Sequence, residues 1–262
     1  EKIEALGSVV AIQLLQGNRK TAFARADQHL GKTKNQAAVY QILGGLSLEG
    51  KDYAKGIEYL GKAVEMNPNF LSAYFLIANT YVVQKKLDEA IEEYQKIVQK
   101  NPRALPAYMI LGALHDQKQQ HAKANEYYQK LLDINKNFAP AANNLAWNYA
   151  EYGEGNLDIA LKLAQKAREI SPENPDIADT LGWIYYKKGV MYSAVRLLKE
   201  SSEKLNNKNP AGLYHLGMAY YQSSETALAR EALSKALEID AGFRGAEEAK
   251  KVLAAIEVKK GK

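Results

Sequence analysis

Cysteine is absent from the 262 residues. That excludes a disulfide framework, a thiolate metal site and a cysteine nucleophile. Long apolar runs are missing too. No stretch approaches the ~18 apolar residues that a membrane span requires, so membrane insertion is not expected. The most apolar early stretch, residues 9–15, is broken by Gln13 and preceded by Glu1 and Glu4. It does not read as a signal peptide. Residue 1 is Glu rather than Met, so the chain is expected to be a piece of something longer. Neither charge sign dominates: 35 basic residues stand against 30 acidic ones, a formal net charge of +5. Nucleic-acid binding needs a clustered basic stripe. The lysines are spread instead, as in Lys85-Lys86, Lys187-Lys188 and the terminal Lys259, Lys260 and Lys262. No nucleic-acid partner is expected.

Catalytic signatures are equally scarce. Of His29, His115, His121 and His215, no two are four residues apart, so no helix face carries a two-histidine metal site. No phosphate-binding loop, dinucleotide fingerprint or nucleophile elbow occurs. His115 stands in a column that elsewhere holds Tyr81, Tyr149, Tyr185 and Tyr220, which marks it as a packing residue. The expectation is no enzyme, no catalytic residue, no metal and no cofactor. What the chain does have is core material: 47% of residues are apolar and 25% charged, which excludes disorder.

That material repeats. Asn67-Pro68-Asn69-Phe70 returns 34 positions later as Asn101-Pro102-Arg103-Ala104, and again as Asn135-Lys136-Asn137-Phe138. Laid out in this period, with a two-residue insertion in the fifth unit and a one-residue insertion in the sixth, the chain gives seven units. They run 3–36, 37–70, 71–104, 105–138, 139–174, 175–209 and 210–243. The seventh residues are Val9, Leu43, Ile77, Leu111, Leu145, Leu181 and Leu216; the eighth are Val10, Gly44, Ala78, Gly112, Ala146, Gly182 and Gly217. A second small column holds Ala22, Gly56, Ala90, Ala124, Ala160, Ala194 and Ala229. Within units the apolar spacing is helical, as in Tyr74, Ile77, Ala78 and Tyr81. Breakers such as Gly17-Asn18, Gly50-Lys51-Asp52 and Gly189 split each unit in two, and Asn-Pro or Ser-Pro pairs separate the units. Each unit is predicted to be a hairpin of two helices of ~14 residues, ~21 Å long at 1.5 Å per residue. The small columns let the paired helices approach closely, an advantage that outweighs the ~1 kcal/mol helix penalty of glycine.

This pattern resembles the tetratricopeptide repeat (TPR). The unit from Ala37 offers Tyr40, Leu43-Gly44, Gly56, Leu60, Ala63 and Pro68; the unit from Leu71 offers Tyr74, Ile77-Ala78, Tyr81, Ala90, Tyr94 and Pro102; the unit from Pro175 offers Leu181-Gly182, Tyr185, Ala194 and Leu198. The first unit departs most, at Val10, Gln13, His29 and Lys34. The resemblance implies an all-α, right-handed superhelical solenoid of seven hairpins, with the first helix of each lining a concave face. Residues 244–258 put Ala246, Ala249, Leu253 and Ile256 on one stripe, which predicts a capping helix before a basic tail within 244–262.

On the face that first helices turn away from their hairpin partners, the last three units are rich in rings and amides. The candidate partner-binding residues are Asn79, Asn143, Asn144, Trp147, Asp179, Trp183, Tyr186, Tyr214, His215, Met218 and Tyr221. Amides both donate to and accept from a peptide backbone, and flat rings supply apolar area with little entropy to lose. The competing reading is that the rings touch only each other inside a tight interior. Some members of the family grip a C-terminal carboxylate with basic residues; here that face has almost no cation before Lys187, which argues against such a clamp. The expected function is a protein–protein interaction scaffold or adaptor that binds a protein or peptide partner. One alternative is a regulatory or assembly module of a larger enzyme complex; another is self-association through the end units. Residues 143–147, the insertion near residues 153–156 and residues 179–183 resemble bacterial TPR proteins, some of them exported with surface-polysaccharide or protein-sorting systems. That implies a bacterial source and leaves cytoplasm and periplasm open.

Overall fold

The structure is a computed structural model that describes residues 3–153 and 156–260, with side chains up to Val258. Glu154 and Gly155 of the insertion, and the lysines of the basic tail, lie outside the described side chains. Among the described residues the chain forms fifteen α-helices and no strand. None is long and apolar enough to cross a membrane. The chain divides into two compact units, Glu1–Lys118 and Gln119–Lys262.

The first unit contains α1 (Ile3–Leu15), α2 (Arg19–His29), α3 (Gln36–Glu49), α4 (Tyr53–Met66), α5 (Leu71–Val83), α6 (Leu87–Lys100) and α7 (Leu105–Gln117). Each helix packs on the next, and the odd ones also touch, α1 on α3 and α3 on α5. The second unit contains α8 (His121–Ile134), α9 (Ala139–Tyr152), α10 (Leu157–Ile170), α11 (Pro175–Lys187), α12 (Met191–Lys204), α13 (Pro210–Gln222), α14 (Thr226–Ile239) and α15 (Ala246–Lys260). Again neighbours in sequence pack together, while α9, α11, α13 and α15 touch in succession and make one wall. The fold is all-α, built of stacked helical hairpins with a fifteenth helix closing the second unit.

The small columns sit where the helices cross. A Cβ built on Gly44 would come within 2.7 Å of Leu60 Cγ, one on Gly182 within 2.8 Å of Leu198 Cγ, and one on Gly217 within 2.6 Å of Leu233 Cγ. Ala90, Ala124, Ala160, Ala194 and Ala229 are fully buried. In the first hairpin Val10 replaces the small residue and Val9 is only half-buried. Elsewhere Leu43, Leu111 and Leu145 are fully buried, each stabilising the fold by about 1.5–3 kcal/mol before ordering costs.

The chain's asparagines punctuate the helices in two ways. Asn67, Asn101 and Asn135 each accept from the backbone N–H two residues on, at 3.0–3.1 Å, and so fold the turn after α4, α6 and α8. Asn174 and Asn209 instead cap α11 and α13, accepting from backbone N–H groups beyond Pro175 and Pro210. In most of the hairpins the turn passes through a left-handed residue. It is Gly17 (φ +76°) and Gly189 (φ +77°) in two of them, but Lys51 (φ +61°), Lys85 (φ +60°) and Ser224 (φ +64°) in others. The next N–H then reaches back over the helix end, as Lys86 N–H does to Tyr81 O at 2.9 Å.

Candidate binding site

Stacking one first helix per repeat makes residues about a repeat apart in sequence into neighbours across the wall. Trp147 on α9, Trp183 on α11 and His215 on α13 meet in this way. Trp183 lies at the centre. One face stacks on Tyr186, with centroids 4.6 Å apart and planes at 10°; it also stacks on His215, at 4.2 Å and 27°. Trp183 is therefore only 7% exposed. Trp147 stays half-buried, its ring 5.6 Å from His215. Tyr214 lies 5.9 Å from Trp183 and 5.6 Å from Phe243. His215 Nδ1 is 2.8 Å from Asp179 Oδ2, so a carboxylate of α11 orients a ring of α13.

Polar groups frame these rings. Trp183 Nε1–H donates to Glu151 Oε1 at 2.6 Å. Lys187 Nζ reaches the same oxygen at 2.8 Å and lies 5.7 Å over the Trp183 ring. The Arg244 guanidinium covers the Tyr152 ring at 4.9 Å, donates to the Tyr152 hydroxyl, and comes within 3.4 Å of Glu151 Oε2. Burial opposes ionisation of Glu151. The hydrogen bonds from Lys187 and Trp183, with the charges of Lys187 and Arg244, outweigh it and hold the carboxyl below its ordinary range. Burial, reinforced by Tyr186 and the carboxylates of Glu248 and Glu151, pushes the Tyr214 hydroxyl up to about 12. It stays a neutral donor at ordinary pH.

Between Trp147, Glu151, Trp183, Tyr214, His215 and Arg244 lies a cleft of about 200 Å³. Gly245 forms part of its wall at φ +108°, where a Cβ would come within 2.8 Å of Tyr214 Cε1. Both the left-handed backbone and the contact require glycine.

The structure thus gathers Trp147, Asp179, Trp183, Tyr186, Tyr214 and His215. The other candidates are placed differently. Asn79 lies on α5 in the first unit, where its Oδ1 accepts from the Tyr94 hydroxyl at 2.5 Å. Asn144 Nδ2 donates to the Tyr128 hydroxyl at 3.2 Å. Tyr94 and Tyr128 have fully buried rings on second helices, and a buried hydroxyl needs a partner, so these amides serve the hairpins. Asn143 keeps a buried Oδ1 with no hydrogen-bond partner. Met218 is 9% exposed, buried in the same core cluster as Trp183, and Tyr221 is half-buried. Sequence reading passed over Glu151, Tyr152, Arg244 and Gly245. One signal was available: Glu151 and Lys187 hold the same position in successive repeats with opposite charge.

Two tetratricopeptide repeat family models match the chain, one over residues 47–114, the other over residues 105–138 and 210–243. The chain carries tetratricopeptide repeats. A TPR repeat-containing protein of Pseudomonas aeruginosa is 34% identical over 83 residues, covering 30% of this chain and 13% of that protein. The match therefore spans a small part of that relative's length. Among solved structures, the Cut9–Hcn1 hetero-tetramer of the APC/C is similar with a TM-score of 0.66 and 18% identity, over 94% of this chain and 48% of that one. YrrB, reported as a TPR protein with an unusual peptide-binding site, is similar with a TM-score of 0.52 and 21% identity, over 86% of this chain and 97% of that one. At such identities the likeness shows the fold. TPR arrays are generally protein–protein interaction modules and typically non-catalytic.

Proposed function

We propose that this protein is a scaffold or adaptor that binds an extended segment of a partner protein on the wall formed by α9, α11 and α13. The observation that carries this reading is the cleft itself. It is lined by the half-buried rings of Trp147 and Tyr214 and framed by polar groups of fixed orientation. Rings already held by stacking and by Nε1–H to Glu151 lose little freedom when a ligand covers them. Aromatic anchors of this kind carry a disproportionate share of binding energy. That YrrB is reported to have a peptide-binding site supports the same use of the fold.

The test is selection of random dodecapeptides on the full chain, followed by titration against variants. Selected peptides should lose at least tenfold in affinity on Trp147→Ala, with helical circular dichroism unchanged. Trp147 suits this test because it is half-buried, whereas Trp183 is part of the core. Failure to select any peptide, or equal binding to Trp147→Ala, would move the site off this wall.

A further inference from the structure

We infer that the cleft receives the guanidinium of an arginine side chain carried by the bound segment. This rests on reading the wall as a peptide-binding face and names what that face selects.

The cleft's own cations show the chemistry that its walls accept. Arg244 combines the Tyr152 ring with Glu151, and Lys187 combines the Trp183 ring with the same carboxylate. A positive charge over a ring face and beside a carboxylate is favourable on both counts. Lys187 is close, at 2.8 Å. Arg244 holds Glu151 less closely: its side chain is 63% exposed and one nitrogen stands 3.4 Å from Glu151 Oε2, while the other donates to the Tyr152 hydroxyl. Charge-assisted bonds are usually ~2.7–2.9 Å long. Glu151 Oε2 thus has one long contact, with an exposed side chain anchored elsewhere on Tyr152.

The polar groups behind the lining have the same character. Asp179 Oδ2 pairs with His215 Nδ1, while Asp179 Oδ1 and Asn143 Oδ1 are buried acceptors with no donor. They hold the same repeat position on adjoining helices α9 and α11, and they add acceptor character beside the cleft without lining it. The carboxylate in the cleft's lining is Glu151. An acidic side chain placed against it would be repelled and would bring no donor. Guanidinium offers five N–H donors in a planar fork that also stacks on rings, whereas ammonium offers a point charge. A cleft of about 200 Å³ has room for one such side chain between Trp147 and Tyr214.

Peptides selected on the full chain provide the test. Arginine should recur at one position. Replacing it by citrulline, which keeps the shape and removes the charge, should weaken binding more than tenfold; lysine should weaken it less and glutamate should abolish it. Glu151→Gln should bring the arginine-to-citrulline affinity ratio close to one. Arg244→Ala, at an exposed side chain, should tighten arginine peptides several-fold by removing the internal competitor. Selected peptides that depend on Trp147 but bind equally with arginine or citrulline would overturn this inference and leave the proposed function standing. If no selected peptide depends on Trp147, both fall.

Discussion

Residues 1–118 and 119–262 use the same hairpin and place their rings differently. In the first unit Phe23, Tyr40 and Tyr59 gather where α2, α3 and α4 meet, with Lys55 5.1 Å over Phe23 and Lys62 5.9 Å over Tyr40. A basic cleft of about 420 Å³ lies there, lined by Arg19, Lys20, Phe23 and Lys55 among others. Its arginine is already employed: Arg19 donates to Leu46 O at 2.7 Å and closes the end of α3. In the second unit the rings come from first helices and share one wall. A solenoid's first helices are neighbours across repeats, so rings in that column add up along the array, whereas rings between a hairpin's helices stay local. The column, more than the number of rings, decides whether a repeat array builds a recognition surface.

Substitutions can break this contrast, beginning with the most severe. Trp183→Ala empties the centre of the cluster and should cost about 3–5 kcal/mol. Hydrogen exchange should accelerate throughout α11 to α15 while α3 to α5 keep their protection; uniform acceleration in both units would contradict the separation. The glycines sharpen the contrast next. Gly182→Ala and Gly217→Ala push a methyl into Leu198 and Leu233 and should destabilise by about 1–2 kcal/mol after the helix gain. Gly45→Ala and Gly61→Ala, in α3 and α4, meet no atom within 4 Å and should stabilise by about 0.5–1 kcal/mol in denaturant titration.

A gentler probe is acid. The pKa of Glu151 is lower folded than unfolded, so its contribution is complete above the ordinary carboxylate range and is lost as pH falls through the depressed value. The melting temperature of the wild type should fall more steeply below that range than that of Glu151→Gln. Parallel curves would show that the carboxylate contributes nothing. The smallest effect is expected at a turn. Lys85 holds φ +60°, and Lys85→Gly should gain about 0.5 kcal/mol, since the relief of left-handed strain is partly offset by glycine's entropy.

The sequence made the hairpins legible because their evidence is short-range. Leu43-Gly44 and Leu181-Gly182 lie a fixed number of positions from Gly56 and Ala194, and the period carries the pattern through Lys85 and Ser224, where no glycine marks the turn. Trp147 and Trp183 were legible for the same reason, as equivalents in stacked repeats. Arg244 was not, because it meets Glu151 from 93 residues away and only through the backbone bend at Gly245. The amides misled in a different way. Asn79 and Asn144 share a face with the rings, yet fully buried tyrosines in another column hold hydroxyls that claim them. Repetition reveals positions; it does not reveal which partner a polar atom has already taken.

Gly245 ties the groove to the end of the array. Its bend sends Arg244 toward α9 and at the same time launches α15. Whatever draws Glu151 away from Arg244 therefore loosens the seat of the last helix, and whatever steadies that helix makes Glu151 harder to capture. Thermodynamic reciprocity requires both directions to have equal strength, so occupancy of the wall can be read, or set, from the far end of the chain.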